Sequence, residues 1–533
     1  MKTIKYTYLI LIVIGLLIVS GCQPAVTQTA APSPEETSGE QVLVIATEGI
    51  PPTLDPLDSN DSRVDTPSIN FYSTLTQFEY GTTNLKMELA ETSEVSEDGL
   101  SHTFTIKKGV KFHDGSELTA SDVVYTIDRM IALGTGVYGN MPSITGGEAV
   151  DGYTVKINMA QSFPGLEGAL TRLYIVNADV VKENEQNGDW GQQWLSTNET
   201  GSGPYTLSEF QSEQQLTVEK FPDYFKGWEG NHVDRAIFRV IREEATRQIS
   251  LENGEVDWIY IGIPDTWEGL KGKEGIILNQ DETLNQLYFA FNNQNEFLKD
   301  VRIRKALELA FDYQGLVEQV LNGHAVLAKG PNPESILCHD PSMEVTEYNI
   351  EKAKELMAEA GFPDGGFELS MVYEATTGET NYFNVMQAGA SALGITLIPL
   401  EMEWDAKVNA FSSPETAPAM GTIWQFPPYP DPDQYVWSLV NSKNIGGGGT
   451  NFAYYSNPRM DELTNAGKSE LDPAKRCEIY KQVQQIWTED VPYANVIIME
   501  SLSAQKDYVN GYKWTSPHPL TQQVYHMWLD RKP

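Results

Sequence analysis

Strand and helix signals interleave along all 533 residues of this chain, which predicts an α/β or α+β fold. Three observations carry that reading. Several short segments alternate apolar and polar residues, as half-buried strands do; His102–Lys107 and residues 153–159 (YTVKINM) are examples. Other segments place apolar residues at helical spacing behind capping residues, as in Thr119–Ile131 and Asn349–Ala360. No short-period repeat of the solenoid kind is present. At about 150 residues per domain, the length points to two or three domains.

Taken in order, Val42–Ala46 is an apolar run suited to a buried strand, and Gly49-Ile50-Pro51-Pro52 ends it. His102–Lys107 and Val110–Phe112 read as strand up to the turn Asp114-Gly115. Thr119, with Asp122 three residues on, forms a capping-box pair for a helix that turns Val123, Val124, Ile127, Met130 and Ile131 inward. Gly201–Tyr205 (GSGPY) is a tight turn, followed by strands over 214–220 and 234–242. A single helical stripe over Val301–Leu321 carries Ile303, Ala306, Leu307, Ala310, Val317 and Val320. Asn349 caps a helix over Ile350–Ala360 that Gly361 closes. Asp472-Pro473 starts another helix, running to about Trp487. Further strands are expected over 368–373, 395–400 and 494–499.

The chain has 37 Lys plus Arg against 74 Asp plus Glu, a formal net charge of −37. That balance argues against a nucleic-acid partner and against docking on anionic lipid. The first residues differ in kind. Lys2 and Lys5 precede eleven apolar residues, Leu9–Val19, too few to span a bilayer but right for a signal-peptide core. Val19-Ser20-Gly21-Cys22 resembles a bacterial lipobox, which implies cleavage before Cys22 and lipid on its sulfur. Removing 1–21 takes two bases and no acid, leaving −39. Residues 23–40, rich in Pro, Thr, Ser, Ala and Glu, have too few apolar groups to order themselves and read as a tether. Cys338 and Cys477 are read either as a disulfide of an exported chain or as two small buried apolar groups.

Three segments together resemble the solute-binding proteins of ABC importers, in the large peptide/nickel family. They are Asp98–Arg129 (DGLSHTFTIKKGVKFHDGSELTASDVVYTIDR), Gly201–Tyr205, and Phe291-Asn292-Asn293 with Asp300–Leu307. The resemblance implies a bilobal α/β fold with two hinge-linked lobes and an extra inserted subdomain. It divides the chain into a signal peptide (1–21), a tether (22–40), a first lobe (41–80, 203–287 and 495–533), an inserted subdomain (81–202) and a second lobe (288–494). It further implies a lipid-anchored, monomeric receptor on the outer face of the cytoplasmic membrane. Such a receptor captures oligopeptides in the interlobe cleft, hands them to ABC permease subunits, and is not an enzyme. His113 and Asp114-Gly115, within the signature segment, are expected to be structural. An oligosaccharide ligand is the alternative. A secreted hydrolase working through paired carboxylates is the alternative of another class.

The chemistry of the side chains narrows this. The seven histidines show neither HxH nor HExxH spacing, and no metal or other cofactor is called for. Gly467-Lys468-Ser469 lacks the earlier glycine of a phosphate-binding loop, and no GxSxG elbow occurs. The stretch Trp424–Trp437 matches the loop that borders the peptide pocket in the family. Many relatives carry there an acid that pairs with the peptide's amino group. Pro427 or Pro428 stands at that place here, so Asp431 and Asp433 are the acids expected to substitute. Trp424 and Tyr429 are the aromatic candidates of the same loop. Glu48, just beyond the first strand, and Asn451 and Tyr454, after the glycine run 446–449, complete the candidate ligand contacts.

Overall fold

The computed structural model describes residues 39–58, 62–374, 378–447, 449–518 and 521–530. The expected signal peptide, Cys22, and the tether up to residue 38 lie outside them, as does Gly448 of the glycine run.

An eleven-stranded mixed sheet runs through the body. Val42–Thr47 pairs in parallel with Arg235–Val240 and with Trp258–Ile261. Gln215–Lys220 and Tyr205–Gln211 extend that side antiparallel. On the far side, Phe367–Tyr373 lies parallel to both Ile395–Glu401 and Met420–Gln425. Two long antiparallel strands, Ile276–Phe291 and Tyr493–Lys506, join the two sides. Ile276–Glu282 pairs with Glu500–Lys506 in the first lobe, and Gln286–Ala290 pairs with Tyr493–Ile498 in the second. The ladder is irregular between Glu282 and Gln286, the waist of the molecule. Cores on either side of the waist are separate. One gathers Leu43, Ile45, Phe238 and Trp258. Another gathers Leu287, Phe289, Leu369 and Met420.

A four-stranded antiparallel sheet (Ala90–Val95, Ser101–Ile106, Thr154–Met159, Ile144–Asp151) forms the inserted subdomain with the helix Ala120–Leu133. The capping box at Thr119 and Asp122 is formed. The subdomain's core also takes Leu57, Leu75 and Phe78, while Tyr174, Val176 and Leu195 pack into the first lobe. Packing thus crosses the positions 81 and 202 in both directions. The turn Gly201–Tyr205 presses on the end of the Ser62–Phe71 helix: a Cβ at Gly201 or Gly203 would overlap the Phe71 carbonyl group. His113 sits against Glu199 (2.8 Å) and the Gly203 carbonyl (3.0 Å).

The helix expected over Val301–Leu321 is interrupted. It ends at Leu309, and the Asp312 side chain accepts from Gly315 N to start a second, short segment. The apolar stripe persists across the break because both pieces pack on the same core. The strand expected at 494–499 runs on to Lys506, where Ser501, Ser503 and Gln505 alternate with Leu502 and Ala504. Asn349 and Asp472 cap their helices as expected. Cys338 and Cys477 form a disulfide across 139 positions, their Cα atoms 4.6 Å apart.

Three buried arginine–aspartate pairs tie distant segments together. Arg129 grips Asp55 with both guanidinium nitrogens, at 0% and 1% side-chain exposure. Arg172 pairs with Asp65, and Arg476 with Asp431. Removing one member strands a buried charge. Arg129→Met is therefore expected to lower stability by about 3–5 kcal/mol, read as a fall in melting temperature. A change within error would show that Asp55 is satisfied without it. Reduction of the disulfide should free two thiols and destabilise the fold by about 2–4 kcal/mol, checked by thiol titration alongside thermal melts.

Candidate functional site

The register of the long strands decides which side chains share a face. Asp281 lies opposite Ser501, Asn279 opposite Ser503, and Tyr260 opposite Ser503 on the other side. Directly opposed residues point the same way. Trp258, Tyr260, Asn279, Asp281, Ser501 and Ser503 therefore line one face. Asn279 Nδ2 donates to Ser503 Oγ at 3.1 Å, as that requires. Ile259, Ile261, Leu278, Leu502 and Ala504 take the opposite face and pack under the helix Pro264–Leu270.

The polar face continues across the waist. Met499 follows Ser501 by alternation, and the Tyr382 hydroxyl reaches its sulfur at 4.0 Å. Leu287 lies opposite Trp424, so Asn285 and Phe426 extend that face toward the waist. The Tyr382, Trp424 and Phe426 rings form a wall, with centroids 6.1 Å apart in each adjacent pair. Phe426 is 54% exposed, unusual for so large an apolar ring. In the first lobe a small cavity of about 80 Å³ opens on the same face, lined by Thr47, Glu48, Gly49, Arg63, Trp258 and Tyr260. It lies beyond the carboxyl end of Val42–Thr47, where open α/β sheets take ligands. Burial pushes the Tyr260 hydroxyl up to about 12, so it is a neutral hydrogen-bonding group at physiological pH.

The expected site residues divide. Glu48 lines the cavity, with its side chain 58% exposed and one oxygen 2.9 Å from Arg247. Trp424 belongs to the aromatic wall. The other five have internal roles, which corrects the expectation that they reach a ligand. Both carboxylate oxygens of Asp431 accept from Arg476 at 2.8 Å, and Oδ1 also caps the helix Pro432–Val440. Asp433 is buried beside Lys468 at 3.8 Å. The Tyr429 ring packs on Phe163 and over Gly165 and Gly168 of the inserted subdomain, across the mouth between subdomain and second lobe. Asn451 bonds the backbone of Asn441 and Tyr455. The Tyr454 hydroxyl donates to the Phe411 carbonyl at 2.6 Å. The prolines at 427, 428, 430 and 432 stiffen this loop, but what they hold in place is an ion pair and a helix start. Cys22 lies outside the described residues.

Tyr260, Asp281, Asn285 and Ser501 were not singled out from the sequence. Their face emerges only when strands more than 200 positions apart are paired. The one local hint is the run of polar residues through 279–285 (NQDETLN), broken only by Leu284, next to an apolar run.

The model of the bacterial extracellular solute-binding proteins, family 5 Middle, matches residues 84–447. Heme-binding protein A of Haemophilus influenzae is 27% identical over 525 residues, spanning 93% of this chain and 94% of its own. The probable D,D-dipeptide-binding periplasmic protein DdpA of Escherichia coli is 28% identical over 505 residues, spanning 92% and 94%. The structure of the oligopeptide-binding protein AppA of Bacillus subtilis, in complex with a nonapeptide, matches with a TM-score of 0.76. It is 26% identical and covers 92% of this chain and 100% of that one.

The Asp433 carboxyl carries a pH signature. Burial raises it to about 6, against the pull of Lys468, whereas an unfolded aspartate titrates near 3.9. The folded state therefore binds this proton more tightly. The resulting stabilisation is full below about pH 4 and is lost as pH rises through about 6. Asp433→Asn should flatten that decline, raising the melting temperature at pH 8 relative to wild type while leaving pH 4 little changed. An equal loss at both pH values would refute the assignment.

Proposed function

The chain belongs to the bacterial extracellular solute-binding proteins of family 5, the peptide/nickel-type receptors of ABC importers, and from that premise we propose that it captures oligopeptides in the interlobe cleft for delivery to a permease. The observation that carries the reading is the continuous sheet face from Thr47 and Glu48, past Tyr260 and Ser501, to Trp424. It alternates flat aromatic surface with neutral hydrogen-bonding groups, the pairing that suits a peptide's side chains and backbone. From Val42–Thr47 to Met420–Gln425 the sheet order passes four strand spacings. At about 4.8 Å each these span roughly 19 Å, the length of five or six extended residues. DdpA and AppA, both named for peptides, support the substrate class.

The mechanism follows from the waist. Among the described residues, only the two long strands and their irregular segment at Thr283–Asn285 carry the sheet between lobes. A bend there moves whole cores without disturbing either, the economy of hinge closure. The opposing surfaces already meet at the mouth: Ser162 Oγ donates to the Ser469 carbonyl at 2.6 Å, and Phe163 packs on Tyr429. A ligand that touches both lobes favours this closed arrangement by its differential affinity for it. Binding and release, with no bond made or broken, is the activity this describes. Cleavage before Cys22 and lipid on Cys22 complete the proposal as the means by which the receptor stays at the membrane.

Pentapeptide and hexapeptide pools should raise the melting temperature saturably and reduce the radius of gyration in solution scattering. Trp424→Ala should weaken peptide binding by about tenfold, one aromatic contact's worth, with the free protein's melting temperature little changed. Stabilisation by oligosaccharide or hemin pools but by no peptide would overturn the substrate class. Turnover of any ligand would overturn the receptor reading.

A further inference from the structure

Most buried carboxylates of this protein face a base. Asp55 has Arg129, Asp65 has Arg172, Asp431 has Arg476, and Glu379 has Lys407. Asp281 does not. Among the described residues its side chain makes no ion pair or hydrogen bond, and its Oδ2 is buried without a partner. Two neighbours on the same face are in the same condition. Ser501, directly opposite Asp281, is 4% exposed with Oγ unpartnered. Asn285, at the waist, is 9% exposed with Oδ1 unpartnered. Native proteins rarely leave such atoms unpaired, and a group of them calls for an explanation.

We propose that Asp281, Ser501 and Asn285 bind an ammonium group of the captured ligand. The proposal rests on the peptide reading above and specifies its chemistry. An ammonium group carries three donors and no acceptor. The three side chains present a carboxylate, a hydroxyl oxygen and an amide oxygen, all acceptors. Tyr80, Tyr260 and Tyr512 stand around them: Asp281 is near enough to Tyr80 and Tyr512 to make both hydroxyls harder to ionise, and Tyr260 acts on Tyr512 in the same way. Aromatic faces favour a cation. Burial also raises the Asp281 carboxyl, with no nearby base opposing it. Lys513 lays its chain over Gly81. A ligand cation would supply the missing charge at the point where both lobes' strands run past each other, so its binding is coupled to the hinge.

An amino terminus and a lysine side chain offer the same group, and three peptides separate them. One is an uncharged-side-chain pentapeptide with a free amino terminus. The second is the same peptide acetylated. The third is the acetylated peptide with a central lysine. Wild type should bind at least one ammonium-bearing peptide about tenfold more tightly than the acetylated one. Which of the two it prefers identifies the source. Asp281→Asn should abolish that preference while keeping affinity for the acetylated peptide, Asp281→Glu should retain part of it, and Ser501→Ala should reduce it about threefold. A preference undiminished in Asp281→Asn, or wild-type binding indifferent to the ammonium group, overturns the inference and leaves peptide capture standing. Should no peptide bind, peptide capture falls, and n-butylammonium chloride decides the site. It must raise the melting temperature of wild type more than that of Asp281→Asn, and equal effects overturn the inference.

Discussion

Everything in this molecule hangs on the pairing of Ile276–Phe291 with Tyr493–Lys506. Among the described residues no other strands run through both lobes, and their register sets which residues share the polar face and which enter a core. A slip of one residue would turn Asp281 and Ser501 into the apolar layer beneath Trp267 and bring Leu278 and Leu502 into the cleft. The irregular segment at Thr283–Asn285 relieves the ladder where it must bend. Thr283 Oγ1 holds that segment by donating to the Met499 carbonyl and accepting from Asn285 N.

Around this axis the ion pairs have two different tasks. Arg129–Asp55, Arg172–Asp65 and Arg476–Asp431 join segments 45 to 107 positions apart, with the base buried against its acid and each arginine also bonded to a backbone carbonyl. They fix geometry. The acids on the cleft side, Glu48 and Asp281, are held less completely: Glu48 shares Arg247 with Glu244, and Asp281 has no base. That contrast separates structural charge from charge available to a ligand more sharply than sequence position does. Of the acid excess behind a net charge of −37, most lies on exposed surface, where it favours solubility.

The candidate loop Trp424–Trp437 shows why site prediction from a local stretch succeeds only in part. Trp424 sits near the end of the strand Met420–Gln425, with its ring between those of Tyr382 and Phe426. Asp431 and Asp433 look equally available in the linear chain. Arg476, 45 positions on, claims the first, and the second is enclosed beside Lys468. Tyr429 is drawn to glycines of a different subdomain, where only the absence of Cβ atoms makes room for its ring. None of these partners is near in sequence.

Local physics was enough for part of the elements. Alternation, capping residues and helix-breaking turns placed those whose signals lie within a few positions of one another, though not the long strand Ile276–Phe291. The break at Ala310–Asp312 and the extension of the last long strand escaped it, since both are settled by what the segment packs against. The signature segments were enough for the bilobal class. What only the tertiary structure decided was availability: which polar atoms are satisfied inside the protein and which are left for something else. That is a property of pairs, and here the pairs are formed by strands brought together from opposite ends of the chain.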